Sequence, residues 1–282
     1  MVKVLKSGFY SSIQDFGRIG FQDYGVPYSG VMDRYAASMV NALLGNNENE
    51  AVIEMTMTGV TLQFDCETLI CLSGAYMSPK LNDLLIQNNK VTKVNKNDVL
   101  SFGKLESGFR CYLAILGGFE TEMIMNSRSM YKGITPKYYL QKGGKLSVKR
   151  CSFSKTKHHA RLKIDNSYLK ASIIHVFKGP EFDLLSGEQQ ERLLSNTFTI
   201  SKENNRMAYQ LKEPLGNNLD AIITSAVLPG TVQLTPSGKL IILMRDCQTT
   251  GGYPRVLQLK ESAIDVLAQK FTDNTITFSL NS

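Results

Sequence analysis

Histidine and cysteine are scarce in this chain of 282 residues, and neither falls into a metal-binding pattern. The histidines are His158, His159 and His175; the cysteines are Cys66, Cys71, Cys111, Cys151 and Cys247, with no Cys-x-x-Cys pair. That excludes the usual zinc spacings and points to free thiols in a reducing compartment. Long apolar runs are missing too. None approaches the ~18 residues of a membrane-spanning helix. The first residues, Met1 to Gly8, move straight into strand-like alternation without an apolar leader, so a cytoplasmic location without membrane association is expected. Lys104, Lys145 and Lys239 follow glycines but lack the rest of a P-loop. There is no Gly-x-Gly-x-x-Gly, no Gly-x-Ser-x-Gly and no Met-Lys-Met biotin acceptor. Any chemistry must therefore come from polar loops or from a larger complex.

The net charge of +7 is modest, and much of it is local. Lys145, Lys149, Arg150, Lys155, Lys157, Arg161 and Lys163 crowd one segment in which Phe153 is nearly the sole aromatic. Nucleic-acid binding wants basic residues interleaved with stacking aromatics, so no nucleic-acid partner is expected. The segment reads as a solvated linker over residues 151–169, separating domains at 1–150 and 170–282.

Short alternating or apolar runs recur between turn residues on both sides of that linker. In the first half they are Ala51–Thr56, Thr61–Phe64, Thr68–Leu72, Leu84–Gln87, Lys90–Val94, Asp98–Phe102 and Arg110–Leu116. In the second half they are Ala171–Phe177, Thr197–Ser201, Met207–Leu211, Ala221–Ala226, Gly230–Leu234, Leu240–Met244 and Thr275–Ser279. This is the pattern of an all-β sandwich or barrel. Helical spacing appears three times: after Asp33, a candidate N-cap with Gly45 as stop; after Ser186; and through Ser262–Lys270. The halves share a plan, which suggests a duplicated β-rich domain.

Three loops concentrate polar chemistry. Residues 245–255, Arg-Asp-Cys-Gln-Thr-Thr-Gly-Gly-Tyr-Pro-Arg, follow a buried strand. The glycine pair Gly251-Gly252 suits close backbone approach or an anion-binding nest, and a hairpin turn with capping groups accounts for it equally well. Cys247 has no histidine near it in sequence, and Asp246 would raise its pKa; it reads as a buried thiol rather than a nucleophile. Residues 8–33 form a glycine-dense stretch carrying Gln14, Asp15, Arg18, Ser29, Gly30 and Asp33, read as a functional loop. Ser127-Arg128-Ser129 follows Gly117-Gly118 and suits either an anion or a surface turn.

Taken together, several segments resemble the biotin-dependent carboxyltransferase-like family. They are Ser12–Gly20, Gly25–Asp33, Asn41–Asn46, Gly117-Gly118 with Ser127–Ser129, Gly179-Pro180-Glu181, Asn205-Arg206-Met207, Pro229–Gln233, and Asp246 with Gln248–Pro254. They occur in family order over nearly the whole chain. Ala208 stands where the family usually has Gly, and Cys247 where a basic residue is common. The family includes the carboxyltransferase region of urea amidolyase, the C subunit of bacterial 5-oxoprolinase, and antagonists of a sporulation kinase inhibitor.

The resemblance implies a mainly β protein of two cyclophilin-like β-barrel-type domains with a few short helices and a ligand site between them. A chain of this length looks most like the 5-oxoprolinase C subunit, which works only in a complex with A-like and B-like partner subunits. Such a complex uses ATP with Mg²⁺, for which the complex interface is one candidate location, to open 5-oxo-L-proline to L-glutamate. The resemblance also admits two other roles: carboxyl transfer from carboxybiotin on another chain, biotin not being attached to this one, to a small amide or urea-like acceptor; and non-catalytic regulation of a B-type partner. Carried onto this sequence, the catalytic candidates are Asp246, Asp15 and Arg18. Gln14, Ser29, Gly30, Asp33, Arg128, Arg206, Gln248, Thr249, Thr250, Gly251, Gly252, Tyr253 and Arg255 are candidates for substrate or nucleotide binding. Phosphates would fall to glycine-pair nests and to Arg18, Arg128, Arg206 and Arg255. Asp15, Asp33 and Asp246 are candidates for Mg²⁺ or proton transfer. Asp246→Asn and Arg18→Ala are each expected to abolish activity with the fold intact.

Overall fold

The computed structural model describes residues 1–149 and 162–281; residues 151–161 of the expected linker lie outside the described residues. The described chain divides into two compact units. One comprises residues 1–17 and 33–170, the other residues 18–32 and 171–282. The segment 18–32, expected to belong with the N-terminal domain, is thus part of the second unit.

The first unit begins with β1 (Val2–Lys6) and β2 (Tyr10–Gln14). β2 lies inside the stretch expected to be loop: its polar sequence YSSIQ hides the alternation, yet all but Tyr10 are buried. Helix α1 (Arg34–Leu44) follows, with Asp33 capping its start and Gly45 in the left-handed conformation at its end, both as expected. Strands β3 (Val52–Thr56), β4 (Thr61–Phe64), β5 (Thr68–Tyr76), β6 (Pro79–Leu81), β7 (Leu84–Leu85), β8 (Thr92–Val94), β9 (Val99–Phe102), β10 (Ser107–Ile115) and β11 (Lys145–Leu146) complete the unit. They form two sheets, ordered β11-β1-β4-β9-β6-β7 and β2-β3-β10-β5-β8. Val4, Ile13, Ile53, Met55, Leu62, Phe64, Leu72, Leu100 and Leu113 make their shared core.

The second unit contains a closed barrel. Its strands are β12 (Ile173–Lys178), β13 (Phe198–Asn204), β14 (Ala208–Leu211), β16 (Thr231–Leu234), β17 (Leu240–Leu243), β19 (Arg255–Leu259) and β20 (Thr275–Leu280), closed in the order β12-β19-β16-β17-β14-β13-β20. β12 and β20 pair in parallel and the other neighbours antiparallel. Closure leaves no bare edge. Two short strands, β15 (Ser225–Ala226) and β18 (Thr250–Gly251), form a separate ribbon; the longer strand expected over 221–226 is reduced to its last two residues. Helix α2 (Gly187–Ser195) opens on a capping box between Ser186 and Gln189, and α3 (Glu261–Ala268) buries Ala263, Ile264 and Leu267. The mainly β class, the few short helices and a barrel are as the sequence implies.

Candidate functional site

Asp15 follows directly on β2 and is buried at the centre of a knot. Its Oδ1 accepts from the Ser127 and Ser129 hydroxyls, each at 2.6 Å, and from the Gly17 N–H at 2.9 Å. Its Oδ2 accepts from the Arg128 N–H at 2.6 Å. The Asp15 N–H in turn donates to the Ser129 hydroxyl. With its acceptor sites used this way, Asp15 fastens the 127–129 turn to β2. The geometry gives Asp15 a positioning role. Gln14, fully buried, donates to the Ser12 hydroxyl and the Met130 carbonyl and braces the same turn. The Arg128 guanidinium donates through Nη1 to the Thr121 carbonyl. Of the predicted residues only Arg128 reaches a cavity of about 320 Å³ in this unit, whose wall also includes Met130, Lys137, Tyr139 and Lys145.

Asp33 accepts from the Ala36 N–H at 2.9 Å, as an N-cap should, and from the Tyr168 hydroxyl at 2.7 Å. Its own N–H donates to the Tyr112 hydroxyl, which donates to Glu54 at 2.8 Å. Glu54 is buried 3.9 Å from the equally buried Arg110. Burial, reinforced by the Glu54 and Asp33 charges, pushes the Tyr112 phenol well above its ordinary pKa. This buried polar row was not legible, because Glu54 and Arg110 each sit in a strand among apolar residues.

The second unit gathers the larger group. Arg206 chelates Asp246, Nε to Oδ2 at 2.8 Å and Nη2 to Oδ1 at 3.0 Å, and Nη2 also donates to the Gly30 carbonyl at 2.6 Å. The Ser29 N–H donates to the Arg245 carbonyl at 2.9 Å, so Ser29 and Gly30 tie residues 18–32 to the segment after β17. Ser29 holds a φ of 55° despite its side chain, a strained conformation kept by these contacts. Arg18 is fully buried; its N–H donates to the Tyr28 carbonyl and its own carbonyl accepts from Gln22.

Arg255, expected to close the loop, instead starts β19. It grips Glu181 through Nη2 at 2.8 Å and Nε at 3.0 Å. The Arg255 hydrogen bonds hold the Glu181 carboxyl below its usual range, and Glu181 raises the guanidinium in return. Gly179 makes the docking possible: a β-carbon there would lie 2.1 Å from the Arg255 carbonyl oxygen. Glu181 belongs to the Gly-Pro-Glu segment of the resemblance, but nothing local marked it as the partner of Arg255.

Between these ion pairs run Gln248, Thr249, Thr250, Gly251, Gly252 and Tyr253. The Thr249 carbonyl accepts from Val227, and Thr250 and Gly251 pair with Ala226 and Ser225. Neither Gly251 nor Gly252 has positive φ, so the pair does not form the alternating turn of an anion nest. Gly251 is the tighter of the two: a β-carbon there would lie 2.5 Å from Gln233 Nε2 and would push that side-chain amide aside, whereas one on Gly252 would meet the Ile222 carbonyl at an ordinary contact distance of 3.4 Å. Tyr253 is exposed. Cys247 is buried, and burial together with the Asp246 charge pushes its thiol up to about 12.

These contacts fit a nucleotide poorly. Arg206 and Arg255 are each committed to a carboxylate. Among the described residues no three of His, Cys, Asp and Glu converge as metal ligands, and Asp15 and Asp33 already accept several hydrogen bonds. No step through ATP or Mg²⁺ is assigned to these side chains.

The model of the carboxyltransferase domain, subdomain A and B, matches residues 24–280. The chain belongs to this family. It is 31% identical to the 5-oxoprolinase C subunit of Haemophilus influenzae, over 99% of this chain and 90% of that protein. Urea amidolyase of Lachancea kluyveri is 41% identical over 130 residues, 46% of this chain and 7% of that one. Among solved structures, Kluyveromyces lactis urea amidolyase superposes with a TM-score of 0.90 at 28% identity; the match covers all of this chain and 19% of that one. The whole fold is found as a module within a much longer protein, and the sequence match extends to a relative of nearly this length. No described helix is long and apolar enough to cross a membrane.

Proposed function

We propose that this chain is the C subunit of an ATP-dependent 5-oxoprolinase, acting in the cytoplasm with A-like and B-like partner subunits to open 5-oxo-L-proline to L-glutamate. The observation that carries the reading is end-to-end similarity: the H. influenzae protein matches over 99% of this chain and 90% of its own length. The urea amidolyase of L. kluyveri, though more identical locally, matches over less than half of this chain.

A lactam carbonyl is a weak electrophile, and its oxygen must be activated before water can attack the ring carbon. The nucleotide supplies that activation. Because Arg206 and Arg255 are already paired with carboxylates, we place its phosphates and Mg²⁺ mainly on partner residues. The task of this chain is to bind and orient the lactam. The Arg206–Asp246 and Arg255–Glu181 pairs hold the segment between them against the barrel, and preorganised positioning of this kind lowers a barrier without any proton transfer by the chain.

The test is ATP-dependent glutamate release from 5-oxo-L-proline by the chain reconstituted with its A- and B-type partners. Release that needs all three supports the proposal. No release, with carboxylation of urea from a carboxybiotin donor by the same preparation, would instead establish carboxyl transfer, the reading favoured by the local 41% identity to urea amidolyase.

A further inference from the structure

The cavity of about 320 Å³ lies wholly within the first unit, between residues 120–128, residues 135–147 and β1. Backbone hydrogen bonds fix its walls. The Glu120 N–H donates to the Ser147 carbonyl at 2.9 Å, the Val4 N–H to the Gly144 carbonyl at 2.8 Å and the Leu140 N–H to the Ser11 carbonyl at 2.7 Å. Part of the lining is apolar: Val4, Met130, Leu140 and Leu146 are buried members of the unit's core. The rest is charged. Arg128, Lys137 and Lys145 bring three cations, and Glu120 and Glu122 two carboxylates. Among the described residues none of these five side chains is in an ion pair.

Arg128 is held ready. Its N–H donates to Asp15 Oδ2 at 2.6 Å, so the Asp15 knot locks its backbone, while Nη1 rests on the Thr121 carbonyl. The chain returns from Thr121 to Arg128 through a tight turn, in which Ile124 pairs with Ser127 across Met125 and Asn126, both at positive φ. Nε and Nη2 make no hydrogen bond among the described residues. Those two nitrogens form the edge with which Arg206 takes both oxygens of Asp246, and Arg255 both oxygens of Glu181. A planar carboxylate is the natural match for that edge. The Thr121 hydroxyl lies in the same wall, buried and without a partner among the described residues. A buried polar group left unmatched is a standing cost, and native proteins keep few of them without a reason.

The mixture of charge and apolar surface selects the ligand. Three cations alone would suit a phosphate, but Glu120 and Glu122 flank Thr121 and would repel a dianion, and an inorganic ion would leave the apolar lining unused. The volume lies at the lower end of the ~300–1,000 Å³ of small-molecule sites, which suits one small organic molecule and not a nucleotide. An α-amino acid uses every group: its carboxylate meets the Nε and Nη2 edge, its ammonium meets the glutamates beside Thr121, and its side chain covers the apolar wall. We infer that this cavity binds a free α-amino acid with an apolar side chain, Arg128 reading the carboxylate and Glu120 with Glu122 the ammonium. Asp15 enters as the positioning residue that aims Arg128. The inference stands apart from the lactam reading above. 5-Oxo-L-proline has no ammonium group, and L-glutamate would set a second carboxylate against the apolar wall.

The test is ligand-observed NMR on the full chain with L-leucine, L-phenylalanine, N-acetyl-L-leucine, L-leucinamide, L-glutamate and 5-oxo-L-proline. It compares the wild type, Arg128→Lys, and a double variant combining Glu120→Gln with Glu122→Gln. Wild type should bind L-leucine and L-phenylalanine, and the other four more weakly by about tenfold or more, since each lacks one of the two charges or adds another. Arg128→Lys keeps the charge and loses the two-nitrogen edge, and should weaken L-leucine about tenfold. The double variant changes two exposed side chains and should melt as the wild type does. It should weaken L-leucine yet leave N-acetyl-L-leucine unchanged, a selectivity that a merely structural change would not produce. If Arg128→Lys does not fold, the double variant decides alone. Neither apolar amino acid bound by wild type, or L-leucine binding unchanged in the double variant, overturns the inference. So does N-acetyl-L-leucine or 5-oxo-L-proline bound as tightly as L-leucine.

Discussion

Arg206 and Asp246 form a two-point ion pair in which both side chains are nearly out of water, at 7% and 11% exposure, and the same guanidinium carries the Gly30 carbonyl. The sequence alone suggested that Asp246→Asn would leave the fold untouched; the pairing says otherwise. Removing one partner of a buried pair strands the other and costs about 3–5 kcal/mol. Arg206→Ala should fall in that range and exceed Asp246→Asn, because it also frees the Gly30 carbonyl. Urea denaturation of both variants decides it; equal, near-zero losses would refute the structural role.

Asp15 should behave as a fastener. Asp15→Ala is expected to lower stability by about 2–4 kcal/mol, from several lost charge-assisted hydrogen bonds. Turnover per folded molecule in the reconstituted complex should change little at temperatures where the variant is folded. A loss of kcat of about a hundredfold or more in a fully folded sample would return Asp15 to the chemistry.

Glu181 should confer a pH-dependent share of stability. Its carboxyl ordinarily titrates near 4.5 and is held lower in the fold by Arg255. The stabilisation is therefore complete above about pH 5 and drains away as pH falls through the lowered folded value. At pH 7 the wild type should exceed Glu181→Gln by about 1–3 kcal/mol, and the gap should narrow steadily from about pH 5 to about pH 3. Denaturation midpoints across that range measure it, and a gap independent of pH would contradict the pairing.

Cys247 should be inert. With its thiol pushed up to about 12 and the residue buried, almost none is thiolate at about pH 8. Half-buried Cys66 should be alkylated by iodoacetamide well before Cys247, as peptide mass spectrometry will record. Rapid labelling of Cys247 in folded protein would show the loop to be more open than described.

Gly179→Ala should cost about 3 kcal/mol, because its β-carbon would meet the Arg255 carbonyl, a backbone atom with little freedom to yield. A melt within a degree of wild type would mean that the turn can shift away.

Much of this architecture was legible. Strands with apolar alternation, such as Thr61–Phe64 and Leu240–Leu243, announced themselves, as did the caps of α1 and α2. β2 was not, because a polar strand buried by hydrogen bonding carries no hydrophobic signal; Ser11, Ser12 and Gln14 are buried without being apolar. β19 was concealed by its first residue, since Arg255 reads as loop chemistry until Glu181 is beside it. Site residues were legible as types and not as roles. Asp15 and Gly251 stood out, yet one is a brace and the other a point where backbone packs closely on the Gln233 amide. Partners far apart in sequence, Glu181 with Arg255 and Asp15 with Ser127, leave no local trace.

The segment 18–32 bears on how the molecule is made. Met32 lies in the barrel core beside residues synthesised only after the whole remainder of the first unit. On the ribosome, an early piece of the barrel must wait, unhoused, while the intervening unit emerges and folds as an insertion. Gene dissection at the basic segment would accordingly yield two incomplete products, one carrying an orphaned loop and the other a barrel missing part of its filling. A permuted gene that places residues 18–32 directly ahead of residue 171 is the arrangement under which the second unit could mature by itself.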